Sequence, residues 1–209
     1  MSVQGKVYVV DDDESIRELL IWLMKRADIP VEAFSNAKSF IKAWRDDGPA
    51  CIILDLHLPG MSGLELQQYL IDQGIAVPVI FLSGRADVPK AVHAVKSGAV
   101  DFIEKPFDYK RIVQLAQESL RRDAQGREQR QRARATAQRL ATLTQREREV
   151  MDRVVAGKLN REIAEELDIS IKTVEAHRSR IMEKLQVGSV AELVQATLSG
   201  AGRDPGAAG

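Results

Sequence analysis

Four stretches of this 209-residue chain place reactive polar side chains at the ends of short apolar runs. Asp11, Asp12 and Asp13 follow Lys6 to Val10, and Asp55 follows Cys51 to Leu54. Ser83 and Gly84 follow Val79 to Leu82, and Lys105 with Pro106 comes just after Val100 to Ile103. Each alone reads as a turn or cap residue, because Asp and Ser side chains accept hydrogen bonds from nearby backbone amides. Asp13 in particular suits the cap of a helix opening at Glu14. Together they describe a site. Carboxylates crowded into a small space repel unless a proton or cation compensates, and a sparse all-oxygen set suits Mg²⁺, which keeps several waters. The amine of Lys105 adds a fixed positive charge. A phosphoryl group on a carboxylate oxygen would be stabilised by that metal, the amine and a hydroxyl, since phosphoryl transfer depends on positioning and charge compensation.

Such a site needs elements that bring the run ends together. The apolar runs, with Val31 to Phe34 as a fifth, alternate with helical patterns, the clearest being Ile16, Leu19, Leu20, Leu23 and Met24. Others are centred on Phe40, Ile41 and Trp44, on Leu66, Tyr69 and Leu70, on Val88, Val92 and Val95, and on Ile112, Val113 and Ala116. Five strands alternating with five helices predict an α/β fold, a doubly wound five-stranded parallel sheet covered on both faces. Ligands of such sheets sit at the carboxyl ends of the strands, near a topological switch point.

Composition excludes several classes. At 44% hydrophobic, 29% charged and 5% aromatic residues the chain reads as globular, neither disordered nor fibrous. The single cysteine, Cys51, cannot form an internal disulfide and reads as a buried thiol in a reducing compartment. No apolar stretch is long enough to span a bilayer and the first residues lack a signal-peptide layout, so the expectation is a cytoplasmic protein without membrane attachment. The net charge of zero hides an uneven distribution. Residues 1–120 carry net −4, residues 121–139 hold seven arginines and net +5, and residues 140–209 carry net −1. The expected organisation is therefore a first domain over 1–120, an arginine-rich linker over 121–139, an all-α domain over 140–199 and a disordered Gly-rich tail over 200–209. The linker either continues the preceding helix, with a break near Gly126, or stays flexible.

In the second domain Thr144 and Glu147 read as a capping box opening a helix through Val155, with Gly157 ending it. Asn160 reads as the cap of a short helix carrying Ile163, Ala164 and Leu167. After the turn Asp168-Ile169-Ser170 a longer helix runs from Ile171 to about Leu185. Two helices joined by a tight turn are the helix-turn-helix arrangement, although an ordinary three-helix packing unit with a solvated charged face has the same pattern. Val174, His177, Ile181 and Leu185 share one face of the third helix, and Lys172, Glu175, Ala176, Ser179 and Glu183 share the other. Ala176 and Ser179 would permit close approach to bases, Glu175 could accept from a cytosine amino group, and Lys172, Arg178 and Arg180 could reach phosphates. His177, with no second ligand four residues on, is a packing or phosphate-contacting residue and not a metal ligand.

The strings Val9 to Asp13, Leu54 to Gly63, Leu82-Ser83-Gly84 and Phe102 to Phe107 resemble the receiver domain of two-component response regulators, which has the flavodoxin-like sheet. Leu143 to Val150, Asn160 to Ala164 and Lys172 to Arg178 resemble the LuxR-type helix-turn-helix, and the whole chain resembles the FixJ subfamily of the NarL/FixJ response regulators. The resemblance implies Asp55 as phospho-acceptor. It implies Mg²⁺ held by Asp11, Asp12, Asp55 and the backbone carbonyl of His57. Ser83 would be the switch hydroxyl, Phe102 the rotating aromatic and Lys105 the phosphate-binding amine, with a cis peptide before Pro106. The implied DNA-binding set is Lys172, Thr173, Glu175, Ala176, His177, Arg178, Ser179 and Arg180. The implied partners are a histidine kinase, double-stranded promoter DNA, RNA polymerase and a second copy of the chain after phosphorylation. The last helix, from Ala191 to Leu198, would help pair two DNA-binding modules. The expected role is a regulator and not an enzyme. A phosphatase of the haloacid-dehalogenase type would need a second Asp two residues after the nucleophile, where this chain has His57.

Overall fold

The computed structural model describes residues 5–84 and 98–200, in two compact units covering 1–127 and 128–209. The first unit holds β1 (Lys6–Val10), α1 (Glu14–Arg26), β2 (Val31–Phe34), α2 (Ala37–Ala43), β3 (Ala50–Asp55), α3 (Gly63–Asp72), β4 (Val79–Ser83) and β5 (Asp101–Glu104). It also holds the first part of α4 (Tyr109–Ala141). The helical pattern of Val88, Val92 and Val95 lies outside the described residues, as do residues 201–209. All strand pairs are parallel, in the order β2-β1-β3-β4-β5. Period-2 alternation divides the strand side chains between two layers. Tyr8, Val10, Ile52, Leu54 and Phe81 pack with Phe40, Leu66 and Leu70 on one face. Val7, Val9, Ile53, Ile80 and Leu82 pack with Leu20, Leu23, Met24, Ile112 and Leu120 on the other. The chain winds outward from β1 to β2 and then crosses to β3, so the winding reverses between β1 and β3. Asp55 and Ser83 are the last residues of β3 and β4, paired in register with Leu82 and Glu104.

The linker segment is helical. The 33-residue α4 runs through Gly126 without a break. One acid in its arginine-rich stretch is buried: Asp123 accepts from the backbone amide of Ala50 at 2.9 Å and from Arg127 Nε at 2.7 Å, and Arg127 also pairs with Asp46. This carboxylate joins α4 to the first residue of β3.

The second unit contains the rest of α4 with α5 (Gln145–Val155), α6 (Asn160–Leu167), α7 (Ile171–Leu185) and α8 (Val190–Gly200). Its core is Leu143, Val150, Met151, Val154, Ile163, Leu167, Val174, Ile181, Leu185 and Leu193. The capping box opening α5 is present, and its Glu147 is buried. Glu147 Oε2 accepts from Lys184 Nζ at 2.6 Å and from the Thr144 amide at 2.8 Å, which ties α5 to α7. The cap of α6 is Leu159, not Asn160, because the Glu162 carboxylate accepts from the Leu159 amide at 2.7 Å. Asn160 is the first helical residue, and its side chain accepts from Arg178 at 2.9 Å.

The Lys184 ammonium beside Glu147, aided by Thr144, overcomes burial and holds the Glu147 carboxyl at about 2. A folded-state value below the unfolded one contributes stability above pH 4.5 that is lost as the pH falls toward 2. Every Trp, Tyr and Phe lies at or before Tyr109, so tryptophan fluorescence follows the first unit while far-ultraviolet circular dichroism follows both. We expect Glu147→Gln to remove about 2 kcal/mol of the stability the dichroism transition loses between pH 5 and pH 2. Equal losses in the two proteins would contradict the pairing.

Candidate functional site

The carboxyl ends of β1, β3, β4 and β5 converge on one cluster. The Asp11 amide extends the β1 ladder by donating to the Phe34 carbonyl at 3.1 Å, which leaves the side chain 1% exposed at the reversal point. Asp55 ends the central strand and is 7% exposed. The Lys105 amide donates to the Ser83 carbonyl at 2.7 Å, and this bond holds the residue after β5 against the end of β4. From there Lys105 Nζ reaches Asp11 Oδ2 at 2.6 Å and Asp55 Oδ2 at 3.1 Å. The other oxygens accept from backbone amides: Asp11 Oδ1 from Asp13 at 3.0 Å, and Asp55 Oδ1 from His57 at 3.3 Å. Asp12 is exposed, yet one oxygen from each of Asp11, Asp12 and Asp55 lies within 4.8 Å of the others. Asp13 caps α1 through the Ser15 amide at 2.9 Å. Arg17, four residues into α1, donates through one guanidinium nitrogen to the carbonyls of Asp11 at 2.9 Å and Asp12 at 2.8 Å.

Burial and the charge of Asp55 push the Asp11 carboxyl above the usual range, against the pull of Lys105. Burial works to lower the Lys105 value, but its bonds and charges with Asp11 and Asp55 outweigh this and raise it, so the ammonium stays charged. One amine against three carboxylates leaves uncompensated negative charge. Hard oxygen donors, two buried and one open to solvent, fit Mg²⁺, which retains part of its water shell.

Further residues complete the surroundings. Ser83 is fully buried, and its Oγ has no hydrogen-bond partner among the described residues. Phe102 is half-buried, its ring centroid 6.5 Å from that of Phe81. His57 is exposed, and the Lys105-Pro106 peptide is cis. Gly63 had a place in the sequence motif but no assigned role. It begins α3 and donates to the Leu56 carbonyl at 3.0 Å, and a Cβ built there would sit 2.2 Å from the Asp55 carbonyl oxygen. The backbone carrying Asp55 can pass α3 only because that side chain is absent.

In the second unit, Ser170 caps α7 by accepting from the Thr173 amide at 3.1 Å. Asp168 takes the left-handed conformation that ends α6, with φ of 51°. Val174, Ile181 and Leu185 face the core, while Lys172, Thr173, Glu175, Ala176, Ser179 and Arg180 are exposed. Arg178 is half-buried on Asn160, and His177 is half-buried with Nδ1 unpartnered among the described residues. The result is an exposed helix face with lysine and arginine at its edges and small residues at its centre, held by a packed helix pair.

Comparison with known proteins agrees with both units. Residues 7–117 match the response regulator receiver domain, and residues 141–197 match bacterial regulatory proteins of the luxR family. The transcriptional regulatory protein FixJ of Bradyrhizobium diazoefficiens is 37% identical over 93% of this chain and 95% of its own. FixJ of Azorhizobium caulinodans is 42% identical over 92% of this chain and 91% of its own. The transcriptional regulatory protein TdiR of Thauera aromatica is 39% identical over 93% and 86%. Among solved structures, the response regulator StyR aligns with a TM-score of 0.85 at 38% identity, covering 93% of this chain and 98% of StyR. Full-length FixJ from B. japonicum aligns at 0.59 and 35% identity, covering 97% and 100%.

The close approach at Gly63 sets an expectation. Gly63→Ala should cost the first unit about 1–3 kcal/mol of stability by forcing the Asp55 backbone and α3 apart. Tryptophan fluorescence during urea unfolding reads this directly, and an unchanged midpoint would contradict the contact.

Proposed function

Because the chain belongs to the response regulators that join a receiver domain to a LuxR-family DNA-binding domain, we propose that Asp55 is its phospho-acceptor and that phosphorylation controls DNA binding by α7. The observation that carries this reading is the Lys105 amine bonded to both Asp11 and Asp55, with an Asp12 oxygen in the same cluster. Asp11, Asp12 and Asp55 would hold Mg²⁺ together with the His57 backbone carbonyl. When bound, that ion supplies positive charge against the carboxylates and the oxygens of an incoming phosphoryl group.

The protein's own groups do the rest. The Asp55 carboxylate attacks phosphorus on a phosphohistidine of a histidine kinase, an O–P bond forms, and the histidine nitrogen leaves. The Lys105 ammonium pairs with a phosphoryl oxygen. Ser83, whose hydroxyl lacks a partner among the described residues, turns to donate to another. Phe102 then rotates into the space that Ser83 vacates. The change reshapes the surface around β5 and the start of α4 and lets two receivers pair about a two-fold axis. Pairing raises the effective concentration of two helix-turn-helix modules on promoter DNA with two half-sites. Lys172, Thr173, Glu175, Ala176, Ser179 and Arg180 make the base and phosphate contacts, with His177 and Arg178 at the edge of that face. The bound dimer presents a surface to RNA polymerase. The protein works in the cytoplasm as a switch, without turning over a substrate of its own.

Incubation with acetyl phosphate and Mg²⁺ should add one phosphoryl to the intact mass, and Asp55→Asn or excess chelator should abolish the gain. Sedimentation of the phosphorylated protein should show dimers, with tighter binding to a two-half-site operator and little change on one half-site. Retention of the phosphoryl in Asp55→Asn would refute the assignment, and equal gains on a single half-site would refute pairing as the source of affinity.

A further inference from the structure

We propose that Arg17 is a positioning residue of the metal site, holding the Asp11–Asp12 backbone in the conformation that aims both carboxylates at Asp55. The inference rests on the reading of Asp11, Asp12 and Asp55 as Mg²⁺ ligands. Side chains on a helix lean toward its N-terminus, so a long residue in the second turn of α1 returns over the loop that precedes the helix. Arg17 does this, and one of its nitrogens donates to two consecutive carbonyls at 2.9 and 2.8 Å. Those carbonyls belong to the two residues whose side chains supply ligand oxygens. The same loop is also held by the Asp11 amide on Phe34, the Asp13 amide on Asp11 Oδ1, the Asp13 carboxylate on the Ser15 amide, the Asp13 carbonyl on the Arg17 backbone amide and Asp11 Oδ2 on Lys105. None of these holds the peptide between Asp11 and Asp12 or the Asp12 carbonyl. Arg17 alone among the described bonds fixes that part, and with it the direction in which the exposed Asp12 side chain leaves the backbone.

Charge supports the same assignment. A cation near a helix N-terminus opposes the helix dipole, and its place in α1 is compensated by the carboxylates ahead of the helix. Three carboxylates, the Lys105 ammonium and the Arg17 guanidinium leave a formal charge of −1. A divalent cation, with a phosphoryl dianion replacing the Asp55 charge, brings this set to neutrality.

Groups that orient metal ligands typically change affinity by about 10- to 100-fold when removed. Calorimetric titration of the full chain with Mg²⁺ should show roughly tenfold weaker binding in Arg17→Ala. Arg17→Lys, which keeps a positively charged donor at the same position, should recover most of the affinity, and Arg17→Gln tests the inference if the alanine variant does not fold. At saturating Mg²⁺ all folded variants should reach the wild-type extent of phosphorylation. That split separates orientation of the ligands from a loss of fold. Wild-type affinity in Arg17→Ala or Arg17→Gln, or a lysine variant as weak as the alanine one, would overturn the role of Arg17 and leave the metal site standing. Absence of Mg²⁺ binding in the wild type would overturn both.

Discussion

Three carboxylates facing one amine at the reversal point of the sheet is the arrangement on which the rest of this protein depends. Two like charges about 4 Å apart, at the effective dielectric of a protein surface, repel by about 4 kcal/mol. A flexible loop would relax that repulsion by moving apart. Here Asp11 is tied to the β1–β2 ladder and Asp55 is itself a ladder residue, and both strands are buried on both faces. The sheet therefore keeps the acids together, and the remaining relief is positive charge brought from outside. A site built this way favours a cation, because its own negative charge is left unbalanced.

The contrast with the other buried acids makes the point sharper. Asp123 is matched by Arg127 and a backbone amide, and Glu147 by Lys184 and Thr144. Each of those acids is neutralised within the chain and serves packing, the first by attaching α4 to β3 and the second by attaching α5 to α7. Buried charges that find partners hold a structure together, whereas those left in excess mark where a ligand is to arrive. The Ser83 hydroxyl beside the same strand ends, without a partner among the described residues, has the same character. Its backbone carbonyl is bonded to the Lys105 amide, so a shift at either residue is felt by both.

Much of this was legible in the sequence. The strands show because fully buried parallel strands read as short runs of apolar residues, and the site residues show because they end those runs. The helix-turn-helix was visible in the two faces of Ile171–Leu185 and in the capping box at Thr144. What escaped depends on neighbours distant in the chain. Asp123 looked like one acid diluted in an arginine-rich linker, and its role comes from an amide 73 residues away. Asn160 had the right residue type for a cap, but Glu162 took that function and freed Asn160 for Arg178, 18 residues on. Gly63 stood inside the motif, while the reason for glycine there is the path of the Asp55 backbone. Arg17 carries no local signal, since an arginine in the second turn of an amphipathic helix is ordinary until the loop before it folds back.

If unbalanced carboxylate charge is the organising constraint, removing one carboxylate must relieve the fold. The direct measurement is urea unfolding of the full chain by the fluorescence of Trp22 and Trp44, both in the first unit, comparing wild type with Asp55→Asn. In metal-free buffer the account expects Asp55→Asn to be the more stable protein, by about 1 kcal/mol or more. Added Mg²⁺ should then narrow or reverse the difference by stabilising the wild type more. An Asp55→Asn protein less stable than the wild type without metal would contradict the account, because Asp55 would then be held by its partners rather than strained by its neighbours.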